Sequence, residues 1–208
     1  MKRFLSFTVV ALIALSAGIG GFYLHQNNQT AQFLKAGVFI IENSRPLKTF
    51  KLNSHDGKPF TKESFTGHWH LVFFGFTHCP DICPTTLATL KQTWNKLPPN
   101  IQKEIKITLV SVDPARDTVE KMKQYVGFFG KDIIGVTGDF MELTELTTSL
   151  SVPFKKIMLE GGNYTVDHSA YIYLIGPDGH FRAFIKPPFH IESLSTTLPK
   201  LINHIQNT

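Results

Sequence analysis

Apolar and polar positions alternate between two rhythms along most of this chain. Leu71 to Phe76 is a short, continuous apolar run, the pattern of a strand buried on both faces. Leu87, Leu90, Trp94 and Leu97 then recur at helical spacing until Pro98-Pro99 stops them. Ile105 to Val112 predicts a second buried strand. Asp117 to Phe129 predicts a helix whose inner face is Val119, Met122, Tyr125 and Val126. Ile133 to Val136 predicts a third strand, and Asp139 to Leu150 another helix with Asp139 as its N-cap. Phe154 to Leu159 and Ala170 to Ile175 read as strands. Gly176-Pro-Asp-Gly179 is a turn into a strand over Phe181 to Ile185, and Ile191 to Ile205 closes as a helix. Upstream, Phe50 to Leu52 and Pro59 to Thr61 flank His55-Asp56-Gly57, a hairpin signal.

Strands alternating with helices, followed by a terminal hairpin and helix, describe an α/β sandwich with a central mixed sheet flanked by helices. The 208 residues, 42% of them hydrophobic, suffice for one globular domain plus an extension. The extension is N-terminal. Lys2 and Arg3 precede Phe4 to Leu24, a stretch without charge. As a helix it is roughly 31 Å long, about one hydrocarbon core. It reads as a transmembrane helix with a cytoplasmic N-terminus, so that the domain lies across the membrane. The competing reading is a cleaved signal peptide, for which Ser16-Ala17-Gly18 supplies small residues, although the apolar run exceeds a usual signal core. Residues 1–30 are accordingly the anchor and a short linker, with Gln26 to Lys35 polar, and 31–208 the folded domain. Both readings export that domain.

The net charge of +5 is spread thinly, with no run of five basic residues. A nucleic-acid-binding protein needs a clustered basic face and a recognisable module; neither is present.

The two cysteines stand four apart, in Cys79-Pro-Asp-Ile-Cys83, directly after the first central strand and before its helix. A thiol pair at that junction is the thioredoxin-like arrangement, with one residue more than the usual redox spacing. Each cysteine precedes a proline, which pushes it out of helical geometry. Pro84 then fits the first helical position, leaving Cys83 near the N-cap, where the helix dipole favours a thiolate. Three uses of the pair are open: a structural staple, thiol–disulfide exchange through a redox-active Cys79–Cys83 disulfide, or metal binding. A loop this short makes a weak staple. Metal binding in an oxidising compartment requires reduced thiolates and so implies a thiol reductant of thioredoxin type as a partner. A peroxidase on the same fold would need a hydroxyl residue three before its cysteine, whereas Thr77 is two before Cys79.

Two thiolates and one imidazole form a donor set for a thiophilic metal, above all Cu(I). His168 is the candidate third ligand, in a loop before an apolar strand, with Asp167 beside it to orient the ring or hydrogen-bond nearby backbone. His78, next to Cys79, is its rival and can instead tune the thiol. The remaining histidines of the domain, His55, His68, His70, His180, His190 and His204, are read as structural.

Three ordered segments, Phe74 to Leu87, Ser111 to Thr118 and Val166 to Gly179, resemble the Sco (SenC) family of copper-delivery proteins. The resemblance covers about residues 45 to 205. It implies a thioredoxin-like fold and one copper held by Cys79, Cys83 and His168. It further implies a part in assembling the binuclear CuA site of cytochrome c oxidase, as a metallochaperone or as a reductant of the cysteines of subunit II. A copper donor, subunit II and the membrane are the implied partners, and the inner membrane with the domain in the periplasm, or an equivalent compartment, is the implied location. Asp113 and Arg116 are expected to pair beside the site, with Phe76 and the loop near Tyr164 as its apolar rim. Val119 stands where proline is common in the family, a change expected only to soften a helix start.

Overall fold

A computed structural model describes residues 29–207. The chain divides into two units after Ala36. Residues 29–35 are helical where a polar linker was expected. The expected membrane helix over Phe4 to Leu24 lies outside the described residues, among which no helix is long and apolar enough to cross a membrane.

From Gly37 onward the fold is a mixed α/β structure. Its strands are β1 (Val38–Ile40), β2 (Lys51–Ser54), β3 (Pro59–Thr61), β4 (Trp69–Gly75), β5 (Ile105–Ser111), β6 (Ile133–Thr137), β7 (Phe154–Met158), β8 (Tyr164–His168), β9 (Ile172–Ile175) and β10 (Phe181–Ile185). Its helices are α1 (Ile82–Lys96), α2 (Pro99–Glu104), α3 (Val119–Phe129), α4 (Phe140–Ser149) and α5 (Ile191–Gln206). Eight strands form one sheet in the order β1-β10-β9-β4-β5-β6-β2-β3, with β4, β5 and β6 parallel. All seven residues of β4 are buried, as its continuous apolar run requires at the centre of a sheet covered on both faces. The Asp-Gly turn makes the β2–β3 hairpin, and Gly57 supplies the positive φ of 82° that the turn needs.

β7 and β8 stand apart as a separate antiparallel pair. β8 was not expected. The segment reads as loop because only Val166 of its five side chains is buried, and it pairs only with β7. Pro98-Pro99 does stop α1, but proline also opens the short α2, where a missing N–H costs nothing.

The sheet places two connections together. β4 and β5 end side by side, and the Val112 N–H donates to the Gly75 carbonyl at 2.8 Å. Ligand sites of parallel sheets lie beyond the carboxyl ends of the strands, and the Cys79 loop after β4 and the Asp113 loop after β5 both lie there.

Candidate metal centre

One ligand atom from each of Cys79, Cys83 and His168 lies within 4.8 Å of the others, the only such His, Cys, Asp or Glu cluster among the described residues. Both cysteines are free thiols. Cys83 is fully buried, and Cys79 retains 9% exposure.

The helix that presents the cysteines starts earlier than expected. Asp81 is its N-cap, so Cys83 lies in the first turn and Pro84 is the third helical residue. A proline is tolerated there because the first N–H groups of a helix have no intrahelical acceptor, and the restriction on the preceding residue disfavours helical geometry without forbidding it. The expected thiolate is also reassigned. The Cys83 thiol hydrogen-bonds to Cys79, and this lowers the Cys79 thiol to about 4, against the opposing effect of burial. The same bond and its own burial push Cys83 up. Position in the first helical turn is outweighed because Cys83 lacks the solvent that its charged form would need.

His168 ends β8, and its Nε2 is 3.5 Å from the Cys83 Sγ. Its Nδ1 is 3.0 Å from the Ser169 carbonyl oxygen, which only accepts; an N–H at Nδ1 leaves the Nε2 lone pair facing the sulfurs. The ring sits edge-on between Phe73 and Phe76, at centroid distances of 5.9 and 5.7 Å. Asp167 does not orient it. Successive strand residues face opposite sides, and Asp167 is exposed; the backbone of Ser169 takes that role. His78 contacts Thr77 Oγ1 at 3.1 Å and lies outside the cluster. His55 accepts from the Gly135 N–H, and His70 is buried against Thr108, both as structural residues.

Two carboxylic residues of the loop after β5 frame the site. Asp117 is fully buried. Its Oδ2 accepts from the Thr77 N–H at 2.9 Å and the Ser111 hydroxyl at 2.6 Å, and its Oδ1 from the Thr77 hydroxyl at 2.6 Å. It thereby fixes the segment leading to Cys79. Asp113 pairs with Arg116 and accepts from the Tyr164 hydroxyl at 2.8 Å. The Arg116 guanidinium lies 3.7 Å above the Tyr164 ring and 5.8 Å from that of Phe76, so the expected rim residues share one cation. Asp117 and Gly75 were not singled out from the sequence. A Cβ at Gly75 would stand 2.7 Å from the Cys83 Sγ. The one trace of these roles in the sequence is the position of each within a segment already noted.

A family model for SCO1/SenC matches residues 41–203. A putative copper-binding protein of Stutzerimonas stutzeri is 35% identical over 170 residues, covering 82% of this chain and 83% of that one. SCO1 homolog 1 of Arabidopsis thaliana mitochondria is 37% identical over 197 residues; the match takes in 92% of this chain but 59% of that longer protein. The structure of Arabidopsis ScoI with copper bound superposes with a TM-score of 0.72 at 36% identity, covering 77% of this chain and 99% of that one. BsSco, described as a member of the Sco family of cytochrome c oxidase assembly proteins with a disulfide switch, shares the fold at 23% identity and a TM-score of 0.60, over 78% of this chain and 96% of that one. With this fold, and with the matched segment containing all three clustered residues, the chain belongs to the SCO1/SenC family.

Proposed function

We propose that this protein binds one copper ion through the thiolates of Cys79 and Cys83 and the Nε2 of His168, and that it serves assembly of the CuA site of cytochrome c oxidase. The convergence of two sulfurs and one imidazole within 4.8 Å carries the reading. Soft thiolates select Cu(I), and the imidazole extends the set toward Cu(II). Cys83, the buried ligand, anchors the ion. Cys79 and the half-buried His168 lie nearer the surface, so their bonds are the ones that exchange, one at a time, with the ligands of an acceptor. The apolar segment Phe4 to Leu24 holds the protein in the inner membrane, with the domain in the periplasm or an equivalent compartment. A donor loads the ion, and a reductant of thioredoxin type keeps the thiols available.

Anaerobic copper titration of the reduced protein tests this, wild type beside Cys79→Ser, Cys83→Ser and His168→Ala. One-to-one binding that weakens in each variant supports three ligands. The adjacent sulfurs, one buried and one near the surface, also suit a second reading, a thiol–disulfide oxidoreductase that keeps the subunit II cysteines reduced. That activity needs no imidazole, so copper binding unaffected by His168→Ala moves the assignment to it.

A further inference from the structure

A groove of about 680 Å³ runs beside the metal centre, between the β7–β8 hairpin and the loops that follow β5 and β6. Register pairs Phe154 with His168, Lys156 with Val166 and Met158 with Tyr164. Strand alternation puts these six side chains on one face. The imidazole therefore stands at one end of a mainly apolar strip that ends at Met158, 64% exposed. Across the groove stands Phe140, 55% exposed, at the start of α4. A smaller cavity of about 210 Å³, lined by His168 and Ser169, shares Phe154 and Lys155 with the groove and connects it to the metal ligand.

Exposed apolar side chains concentrate here. Eight large ones are exposed among the described residues, and five of them, Phe140, Met141, Ile157, Met158 and Leu159, belong to the first turn of α4 and the end of the hairpin. Single exposed apolar residues are ordinary, whereas a grouping marks an interaction surface; Phe140 lines the groove, Met158 continues the strand face that lines it, and Ile157 lies on the other face. The acidic side chains of the groove are already engaged. Asp113 is held by Arg116 and Tyr164, and Asp139 caps α4 through the Met141 and Glu142 N–H groups. Lys155 faces Asp167 across the strands, whereas the Lys156 ammonium rests on the Tyr164 ring at 3.6 Å. The charge left for a partner is thus cationic, on the same face as His168.

We propose that this groove docks the protein that exchanges copper with the centre, and that its occupant is an apolar segment carrying a carboxylate for Lys156. The proposal rests on the copper reading above. A segment lying along the strip ends at the imidazole, the open side of a centre whose Cys83 is closed off.

The test uses the full chain in detergent micelles, immobilised, with the soluble CuA domain of oxidase subunit II as the probe. Lys156→Glu, Met158→Ser and a distant charge control, Lys103→Glu, are compared with wild type, and copper titrations are run on each. Lys156→Glu and Met158→Ser are each expected to weaken the dissociation constant about 10-fold or more, as loss of a central contact does. Lys156→Glu also flattens its salt dependence, while copper binding and the control stay unchanged. Equal dissociation constants for wild type and both variants overturn the proposal. So does loss of self-association alone with subunit II binding intact, which assigns the groove to a second copy of the chain. If wild type takes up no copper yet binds the domain through Lys156 and Met158, the copper reading falls and the docking surface stands.

Discussion

The Sγ of Cys83 and the Nε2 of His168 lie 3.5 Å apart although 85 residues separate them in sequence. One comes from the first turn of α1 and the other from the end of β8. No local element sets their distance; the sheet and its loops do. Residues that tie those loops down therefore bear on the proposed metal site as directly as its candidate ligands do.

Asp117 is the strongest of these ties. Asp117→Ala leaves two hydroxyls and the Thr77 N–H without their acceptor beside a buried cavity. Each orphaned buried group costs about 1–3 kcal/mol, so the loss of unfolding free energy should be roughly 3 kcal/mol or more in urea titrations. Asp117→Asn keeps the shape and spares much of that stability. Its copper affinity should still fall about 10- to 100-fold, as happens when groups behind the ligands are altered. Unchanged affinity in both variants, read by competition with a Cu(I) chelator, sinks this assignment.

The two thiols should react unequally. Cys79 is lowered to about 4 by the hydrogen bond from Cys83, while Cys83 is raised and buried. Iodoacetamide at pH 6 is expected to label Cys79 in the metal-free, reduced protein and to spare Cys83, with mass spectrometry of the peptides as the readout. The reaction of Cys79 should change little between pH 6 and 8, because its thiolate is already formed. Preferential labelling of Cys83 would reverse the assignment.

Much of the domain was legible in the sequence, for a physical reason. Strands buried on both faces must be continuously apolar, so β4, β5 and β6 announce themselves, and the cysteine loop falls at the end of β4 where parallel sheets bind ligands. β8 was not legible, since Tyr164 to His168 pairs with β7 alone and buries only Val166, which leaves no core pattern. Nor was the orienting partner of His168, because a backbone carbonyl leaves no mark in residue identity. Proline preferences misplaced the start of α1 by treating a bias as a rule. Asp117 was hidden for another reason: its three donors come from two other segments, and only the folded chain brings them together.

Acid sensitivity has a source away from the metal. His70 is buried near the start of β4 with its Nδ1 2.9 Å from the Thr108 hydroxyl, and burial lowers it from 6.5 to about 3. Between those two values the unfolded chain binds a proton that the folded chain refuses, so stability falls as pH drops from 6.5 toward 3 and is unaffected by this group above that range. The effect amounts to a few kcal/mol across the window. The double variant His70→Phe, Thr108→Val removes both hydrogen-bonding groups and should flatten the pH dependence of urea unfolding between pH 4 and 6.5. An unaltered slope in that variant excludes His70 as the cause.

Gly75 offers the sharpest separation of fold from site. It is the last residue of β4, and a Cβ there would meet the Cys83 Sγ at 2.7 Å, Phe73 at 3.1 Å and Leu109 at 3.3 Å. These atoms belong to a fully buried interior, so something must shift. Overpacking of this kind costs about 1–3 kcal/mol, which a domain of ordinary stability survives. The sulfur has less tolerance. Pushed off its position, it changes its distance both to Cys79 and to the imidazole, and in the proposed site all three donors must close on one ion. Gly75→Ala should therefore stay folded by circular dichroism yet lose copper affinity by about 10-fold or more, approaching the Cys83→Ser variant. Should Gly75→Ala bind copper as wild type does, the interior around Cys83 yields more readily than its packing implies, and the tight coupling of Gly75 to the site is wrong.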